Sequence, residues 1–297
     1  MHLMLRRVIQ PRWRIGIVEN SLEGIVNGEE LRVQWPSNPF HDRWFADPFV
    51  LSVNENEVTL LVEDYRYKDD RGRISRIIVD MERNSIVSCK TILDGGHYSF
   101  PAILRKERKV YFYPEQSRQG KLELFEYCAK TETCEYVGTL SDEPLTDAII
   151  YKGVIYSTRL PEPNGTTLKM FKWPSAVQEF KHETRNSALG SAALGVMKEK
   201  ELETRNSKLE TFSFSECIAR NAGDFFECGG KVYRPAQECN RWYGNALSIQ
   251  LYENGEFKEV RRIPRLHTLN SYQGVTVVDR KIFPFKWVYR LLRRTDK

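Results

Sequence analysis

Polar side chains recur at matching points of the sequence, and their types suit acid–base chemistry. The members of this set are Asp47, Asp147, Glu63, Glu115, Arg159 and Gln237. Carboxyl groups that are buried together raise the pKa of at least one of them, and a glycosidase needs a raised pKa in its proton donor. We therefore predict that the four acids are candidate catalytic residues and that Arg159 and Gln237 bind substrate.

Glycoside hydrolysis is the reaction that such a set suits, since it uses one protonated and one ionised carboxyl group on either side of the scissile bond. A structural use of the acids is the alternative. An aspartate before proline, as in Asp47-Pro48, often accepts backbone hydrogen bonds and caps a turn. The repetition favours a shared polar pocket, and both uses stay open at this point.

Histidines and aromatic residues lie in motifs next to these polar positions. His97 and His267 precede two of the repeated segments, and Trp44 and Tyr243 flank polar motif residues. Aromatic planes suit the apolar faces of sugar rings, although packing between sheets uses the same residues. We predict that these four residues bind substrate. No ligand spacing demands a metal, so we assign no metal and no cofactor, while a metal held by the two histidines stays open.

A repeat of strand, turn and strand determines the predicted fold. Four segments share this pattern, at residues 47–63, 100–115, 147–159 and 222–237, and a weaker fifth lies at 274–285. Repeats of about 40 to 50 residues are typical of propeller blades. We predict an all-β, five-bladed β-propeller that forms a single domain over residues 1–297, with Asp47, Phe100-Pro101, Asp147 and Ala222-Gly223 on its innermost strands.

The remaining strands complete the predicted blades. Outer strands are expected at residues 74–79 with 84–90, and at 122–127 with 135–140. Residues 13–18 are expected to complete the last blade, which closes the ring and removes exposed edges. The long step between the third and fourth repeats contains residues 177–209, where the string ETRNS occurs twice. We predict an insertion there rather than a blade.

Composition excludes several classes of function. The formal charge of +5 comes from 45 basic and 40 acidic residues mixed along the chain, so nucleic acid binding is not indicated. Only residues 281–294 concentrate basic side chains, and we expect a closing strand there. No apolar run is long enough for a signal peptide or a transmembrane segment, so a cytoplasmic location is expected.

Two resemblances follow from the motifs. FADPF at residues 45–49 looks like the first-blade motif of family 43 glycoside hydrolases. Residues 44–279 resemble more closely the N-terminal propeller domain of the plant glucosamine inositolphosphorylceramide transferase family and its bacterial relatives. The motifs that carry this likeness are FADPF (45–49), VED (62–64), HYSFP (97–101), YPE (113–115), YRPAQEC (233–239), YG (243–244) and HTLN (267–270). Each motif is weak alone, but their order over more than two hundred residues makes the likeness specific.

The resemblance to family 43 implies roles for individual residues. Asp47 matches the general base and Asp147 the residue that modulates the pKa of the acid. The position of the general acid falls on Ala222, and the nearest carboxylate, Asp224, is two residues further on and is expected to point differently. Hydrolysis would therefore require Glu115 or Glu63 to act as the acid. In the plant transferases a glycosyltransferase domain follows the propeller, and that reaction is not carried over to this sequence.

Three functions remain as hypotheses. The first is a saccharide-binding propeller in cell-surface glycan or polysaccharide biosynthesis, with a glycosyltransferase or sugar-modifying partner. The second is a glycosidase-like enzyme with Asp47 as its base. The third is a propeller that binds other proteins, because propellers support many functions. The absent acid at Ala222 and the lack of a secretion signal favour the first hypothesis.

Overall fold

The structure is a computed structural model that describes residues 11–172 and 211–283. Within these residues, twenty strands form five antiparallel four-stranded sheets. The first elements in the chain are β1 (Arg12–Val18), the short helix α1 (Leu22–Val26) and β2 (Val33–Gln34). Ser21 caps the start of α1, where its hydroxyl accepts a hydrogen bond from the N–H of Gly24.

The next four sheets are each built from consecutive strands. Blade 1 contains β3 (Arg43–Val53), β4 (Glu57–Arg66), β5 (Arg71–Asp80) and β6 (Ser85–Leu93). Blade 2 contains β7 (Ser99–Lys106), β8 (Lys109–Glu115), β9 (Leu122–Cys128) and β10 (Thr133–Ser141), with a short 3-10 turn at Ser117–Gln119. Blade 3 contains β11 (Leu145–Tyr151), β12 (Val154–Arg159), β13 (Thr167–Lys172) and β14 (Thr211–Ser213). Blade 4 contains β15 (Phe226–Cys228), β16 (Lys231–Glu238), β17 (Ala246–Glu253) and β18 (Glu256–Pro264).

Blade 5 closes the ring with strands from both ends of the described chain. Strands β19 (Leu269–Tyr272) and β20 (Val275–Ile282) share a sheet with β1 and β2, in the order β19, β20, β1, β2. The pairing of β1 with β20 runs from Arg12 opposite Ile282 to Val18 opposite Thr276. This closure confirms the predicted role of residues 13–18 and the five-bladed propeller. The predicted outer strands of blades 1 and 2 are also confirmed, as β5 with β6 and β9 with β10.

The inner strands are buried because they have neighbours on both faces. In β3, all residues from Trp44 to Leu51 are buried, and β3 lies against β7 on one side and β19 and β20 on the other. The rings of Phe49 and Phe100 meet edge to face at 5.0 Å and join blades 1 and 2. The core therefore lies between the blades, and the central channel is lined by the first strand of each.

Blade 4 departs from the prediction at its inner edge. Ala222 and Gly223 precede β15 rather than lie in it, although the N–H of Ala222 donates to the carbonyl of Pro235 on β16. A Cβ at Gly223 would lie 2.0 Å from the carbonyl oxygen of Leu269, so only glycine allows this approach to blade 5. The predicted insertion at residues 177–209 and most of the basic stretch at 281–294 lie outside the described residues. Across residues 11–172 and 211–283, no helix has the length and apolar character needed to cross a bilayer.

Candidate functional site

A repeated irregularity in the inner strands positions the candidate residues. Asp47, Phe100 and Asp147 have left-handed backbone conformations, with φ of 49°, 46° and 46°. Each lies at a register shift of its strand, where two residues oppose one residue on the neighbouring strand. A left-handed conformation in a residue other than glycine is uncommon and costs energy, so the surrounding contacts must hold it.

Carboxylates from neighbouring blades supply those contacts. The N–H of Asp47 donates to Oδ2 of Asp279 at 3.0 Å, and the N–H of Phe100 donates to Oδ2 of Asp47 at 3.1 Å. The N–H of Asp147 donates to Oε2 of Glu115, also at 3.1 Å. We call Asp47, Glu63, Glu115, Asp147 and Asp279 the acid belt, since they follow one another around the channel. Four of the five therefore have a structural role: three hold the backbone of a bulge, and Asp147 is itself a bulged residue.

On one side of the channel the acid belt is neutralised by Arg220. Its Nη2 donates to Oε2 of Glu115 at 2.9 Å, its Nε donates to Oδ2 of Asp147 at 2.5 Å, and its Nη1 donates to Oδ1 of Asn164 at 3.0 Å. Gln237 adds a hydrogen bond from Nε2 to Oδ2 of Asp147 at 2.5 Å. Arg220 is only 8% exposed, so its charge and those of both acids are paired away from solvent.

The pKa values of Glu115 and Asp147 shift in opposite directions. Burial opposes ionisation of Glu115, but Arg220 and hydrogen bonds from Asp147 and Ser117 hold the pKa of Glu115 below its ordinary value. Burial and repulsion from Glu115 raise the pKa of Asp147 to about 7, despite the opposing effect of Arg220. Glu115 is therefore ionised at neutral pH and is unsuited to donate a proton.

On the other side of the channel, no arginine within residues 11–172 and 211–283 hydrogen-bonds to Asp47 or Glu63. Burial raises the pKa of Asp47 well above its ordinary value, and repulsion from Asp279 and Glu63 adds to the rise. Burial and repulsion from Glu115 likewise raise the pKa of Glu63 well above its ordinary value. Among the described residues nothing hydrogen-bonds to the Glu63 carboxyl, which packs against the backbone of Gly72. Glu63 therefore keeps its proton to a higher pH than an ordinary glutamate does.

Asp279 and His267 complete this side. Burial opposes ionisation of Asp279, but His267 and hydrogen bonds from Asp47 and Thr268 hold the pKa of Asp279 below its ordinary value. His267 Nδ1 lies 3.2 Å from Oδ2 of Asp279 and 3.4 Å from Oδ1 of Asp47. Candidate ligand atoms of Asp47, His267 and Asp279 all lie within 4.8 Å of one another, so these three residues could hold a metal ion.

Three buried polar atoms around the acid belt have no hydrogen-bond partner among the described residues. They are Oδ1 of Asp47, Oε1 of Gln237 and Nε2 of His267. Buried polar atoms in proteins are nearly always hydrogen-bonded. Oε1 of Gln237 can only accept, whereas Oδ1 of Asp47 accepts when the carboxyl is ionised and can donate when it is protonated. Both atoms suit a sugar, whose hydroxyl groups donate and accept hydrogen bonds.

Aromatic residues cover this part of the channel. The Tyr243 ring lies 4.9 Å from the guanidinium carbon of Arg220 and 4.8 Å from the His267 ring, and its edge contacts Trp13 at 6.0 Å. Gly244 follows with a φ of 72°, and a Cβ there would lie 2.8 Å from the Trp13 ring. The preceding residue, Trp242, is 50% exposed. The Tyr243 ring thus covers the acid belt, and the ring of the adjacent Trp242 faces solvent.

The structure brings together seven of the ten residues predicted for the site. Those that meet around the channel are Asp47, Glu63, Glu115, Asp147, Gln237, Tyr243 and His267. His97 borders the group, because its Nδ1 accepts a hydrogen bond from the N–H of Gly72 at 3.1 Å, next to Glu63. Burial and the charges of Arg118 and Arg71 lower the pKa of His97 to about 4, so it is neutral at neutral pH.

Arg159 and Trp44 lie elsewhere. Glu63 and Glu115 pair with Ala46 and Ser99, the residues just before each bulge. In blade 3 the equivalent partner is Thr158, and Arg159 is one residue further along. A step of one residue turns a side chain to the opposite face of a strand. Arg159 is therefore directed to Glu143, which it contacts at 2.5 Å, and it does not join the acid belt.

Trp44 packs within blade 1, where its ring stacks on Tyr65 at 4.5 Å. Asp224 also lies apart, as expected: its charged neighbour is Arg105, and its N–H donates to Oδ1 of Asn270. Burial raises the pKa of Asp224 to about 7. The fourth blade thus supplies no acid at the position of Ala222, and Arg220 contributes a cation instead.

Two central residues, Asp279 and Arg220, were not predicted. Asp279 had a sequence signal, because it follows Val277-Val278 as Glu63 follows Leu61-Val62. Arg220 had none, since it lies in an irregular segment before β15. Its role depends on contacts with residues 73 and 105 positions away along the chain.

The chain is similar in sequence to curated proteins from rice. Curated relatives from rice, both named glucosamine inositolphosphorylceramide transferase 1, are 25% (Oryza sativa subsp. indica) and 24% (subsp. japonica) identical over 271 residues. The alignments cover 82% of this chain and 32% of each relative, so the chain spans about a third of their length.

Solved structures with superposable folds include two glycoside hydrolases. Zg3597, a family 117 enzyme from Zobellia galactanivorans, superposes with a TM-score of 0.45 and 8% identity over 92% of this chain and 91% of that chain. CoXyl43, a family 43 β-xylosidase/α-arabinofuranosidase from a compost metagenome, superposes with a TM-score of 0.43 and 12% identity over 81% and 91%. Superpositions at these scores do not bear on chemistry.

The family comparison covers most of the propeller. Residues 33–275 match the family described as glucosamine inositolphosphorylceramide transferase 1, N-terminal. The matched range includes blades 1 to 4 and the inner strand of blade 5, and with it every predicted site residue. This chain belongs to the family of the N-terminal domain of glucosamine inositolphosphorylceramide transferase 1.

Proposed function

We propose that this propeller binds a saccharide at the acid belt without hydrolysing it. The observation that carries the proposal is the position of Arg220, which pairs with both Glu115 and Asp147. Two of the four candidate catalytic acids are held in these contacts, and the blade 4 position of a general acid is Ala222. A binding site needs hydrogen-bonding groups and an aromatic surface, and both are present.

The proposed contacts follow from the groups that remain available. Sugar hydroxyl groups donate to Oδ1 of Asp47 and Oε1 of Gln237, which have no partner among the described residues. The exposed ring of Trp242 supplies a plane on which a pyranose can stack. The Tyr243 side chain must move for a ligand to reach the buried acids, since its ring lies over Arg220 and His267.

We also propose that the propeller acts in glycan biosynthesis, beside a glycosyltransferase or a sugar-modifying enzyme. The support is the family: the matched relatives are named as transferases, and this chain spans about a third of their length. In this proposal the propeller holds the glycan and the partner performs the transfer. Co-purification of the natural full-length protein with a glycosyltransferase, or its fusion to one, would support this role.

A glycan array followed by calorimetric titration tests the binding proposal. Trp242→Ala should weaken binding of the saccharide found on the array by at least about fivefold, since one stacked ring contributes on the order of 1 to 3 kcal/mol. Tyr136→Ala is the matched control, because Tyr136 is also an exposed ring (58%) but lies on β10 at the outside of blade 2. Absence of binding to every glycan on a broad array would contradict the proposal.

Hydrolysis with Glu63 as the general acid is the second candidate function. It is favoured by one observation: Glu63 is a buried acid with a raised pKa and no hydrogen bond to its carboxyl from the described residues. Losing general acid catalysis costs on the order of a hundredfold to ten-thousandfold in rate. Turnover of aryl glycosides that is abolished in both Glu63→Gln and Asp47→Asn, while saccharide binding persists, would establish the enzyme in place of the binding module.

A further inference from the structure

Two arginines meet at the edge of blade 5 and a third lies near them, and among the described residues none of the three forms an ion pair with an acid. Arg14 on β1 and Arg280 on β20 are cross-strand partners, so their side chains leave the same face of the sheet. Both guanidinium groups lie against the ring of Trp35, at 5.9 Å for Arg14 and 3.8 Å for Arg280. Arg265, at the end of blade 4, is close enough to Arg280 to repel its charge. We call Arg14, Arg265 and Arg280 the arginine cluster.

The arginine cluster is short of hydrogen-bond acceptors as well as negative charge. Within residues 11–172 and 211–283, no carboxylate forms an ion pair with any of the three. Arg14 Nη2 donates to the carbonyl oxygen of Trp35 at 2.5 Å, while Arg280 Nε is buried without a partner. Burial and repulsion from Arg14 and Arg265 lower the pKa of Arg280. Like charges held together in this way are destabilising until an anion joins them.

The position of the cluster relates it to the acid belt. Arg280 directly follows Asp279, and Arg265 lies two residues before His267. Successive residues of a strand face opposite sides, so β20 directs Asp279 toward the acid belt and Arg280 toward the neighbouring blade. The two sites therefore share one end of the propeller but have opposite charge, and they select different ligand groups.

We propose that the arginine cluster is a binding site for a phosphoryl anion. Guanidinium groups present paired N–H donors that match phosphate oxygens, and the cross-strand pair of Arg14 and Arg280, with the charge of Arg265 nearby, can contact different oxygens of one tetrahedral anion. Arg265 is exposed, so the site is open to a ligand from solvent. The phosphoryl group can belong to a lipid headgroup or to a soluble sugar phosphate. The proposal does not depend on saccharide binding at the acid belt.

Calorimetric titration with inorganic phosphate at low ionic strength tests the site. We expect saturable binding by the natural sequence and at least about tenfold weaker binding by the double variant Arg14→Gln/Arg280→Gln, since each charged hydrogen bond contributes on the order of 1.5 to 3 kcal/mol. The control is Arg83→Gln/Arg108→Gln, which removes the same two charges from exposed positions in blades 1 and 2. That control should bind phosphate as the natural sequence does.

Two further measurements distinguish a loss of phosphate binding from a loss of folding. The double variant should unfold at the same temperature as the natural sequence in phosphate-free buffer, or higher, because it relieves repulsion. Arg14→Lys/Arg280→Lys retains the charges without the paired donors and should bind with intermediate affinity. Absence of phosphate binding by the natural sequence, or equal loss in the two glutamine double variants, would overturn the proposal.

The source of the phosphoryl group is distinguished by two probes. Phosphatidylcholine vesicles with and without phosphatidic acid test a lipid headgroup, and glucose phosphate tests a soluble sugar phosphate. Vesicle binding that requires phosphatidic acid and is lost in Arg14→Gln/Arg280→Gln assigns the site to a lipid. Tighter binding of glucose phosphate than of inorganic phosphate, without vesicle binding, assigns it to a soluble ligand.

Discussion

Glu115 and Asp147 lie on one side of the channel and share Arg220, whereas Asp47 and Glu63 lie on the other side, where no arginine in the described part of the chain hydrogen-bonds to either. All four acids are buried, Asp47 and Glu63 in blade 1, Glu115 in blade 2 and Asp147 in blade 3. Arg220 lowers the pKa of Glu115, while burial and mutual repulsion raise the pKa of Asp47 and Glu63. The position of an acid in the repeat therefore does not determine its pKa. The balance of burial, neighbouring acids and cations does, since Asp147 also contacts Arg220 and its pKa is still raised to about 7.

The largest expected effect comes from removing that cation. Arg220→Ala leaves Glu115 and Asp147 buried without their partner, and breaking a buried ion pair in this way typically costs about 3 to 5 kcal/mol. Urea denaturation at neutral pH measures the loss in the free energy of unfolding. Arg159→Ala is the matched control: the ion pair of Arg159 with Glu143 is exposed, and such pairs contribute less than about 1 kcal/mol. Equal losses in the two variants would remove the basis of the comparison.

The pH dependence of stability tests the comparison next. The pKa of Glu63 is raised in the folded state. The free energy of unfolding therefore falls as pH rises from the pKa in the unfolded chain, 4.5, toward the higher pKa in the folded protein. Glu63→Gln does not titrate, so it should gain stability relative to the natural sequence as pH rises through that range. For each proton involved, the slope is at most about 1.4 kcal/mol per pH unit.

Glu115→Gln should behave in the opposite way. The lowered pKa of Glu115 gives a stabilisation that is complete above the unfolded value of 4.5 and is lost as pH falls through the folded pKa. The variant lacks this stabilisation, so its deficit relative to the natural sequence should shrink below about pH 4.5. Denaturant titrations from acidic to mildly basic pH measure both variants. Slopes of the same sign for the two would show that Arg220 does not separate the two sides.

Adding a methyl group on the side of the channel that holds Asp47 and Glu63 should have a smaller effect on the free energy of unfolding. A Cβ on Gly72 would lie 2.3 Å from Oε1 of Glu63 and 2.5 Å from the carbonyl oxygen of Tyr98, so Gly72→Ala should cost about 1 to 3 kcal/mol through overpacking. Thermal unfolding measures this loss. At Gly165 the nearest atom to a Cβ is 3.3 Å away, and Gly165→Ala should change stability by less than about 0.5 kcal/mol.

Removing single hydroxyl donors should have the smallest effect. Ser117 donates to Oε1 of Glu115 at 2.7 Å, and Thr268 donates to Oδ1 of Asp279 at 2.8 Å. Ser117→Ala and Thr268→Val should each cost on the order of 1 to 2 kcal/mol, because each leaves a buried carboxylate with one donor fewer. Ser37→Ala, which removes an exposed hydroxyl bonded to Ser85, should be nearly neutral. A loss at Ser37 as large as the other two would contradict this assignment.

The accuracy of the sequence prediction varied with the regularity of the chain. Blades 1 and 2 were predicted down to their outer strands, because their alternating apolar runs are continuous and their turns are short. Blade 4 was predicted less well, since its inner strand is reduced to β15 and the preceding residues 220–224 are held by contacts with blades 3 and 5. The register error at Arg159 has the same origin: Tyr156 is equivalent in pairing to Tyr113 rather than to Tyr111, so alignment of Tyr156 with Tyr111 placed Arg159 where Thr158 is the true partner.

The sequence by itself determined the repeat, the five blades and the positions of four acids near the channel. These features are local, because strand periodicity and turn residues are encoded within each segment of the chain. The tertiary structure decided which acids have a raised pKa and which a lowered one, which face Arg159 occupies, and that Arg220 and Asp279 lie together with the predicted acids. Those properties depend on distances between residues that are far apart in sequence, such as Arg220 and Glu115, and a pKa depends on the charges and burial that folding brings together.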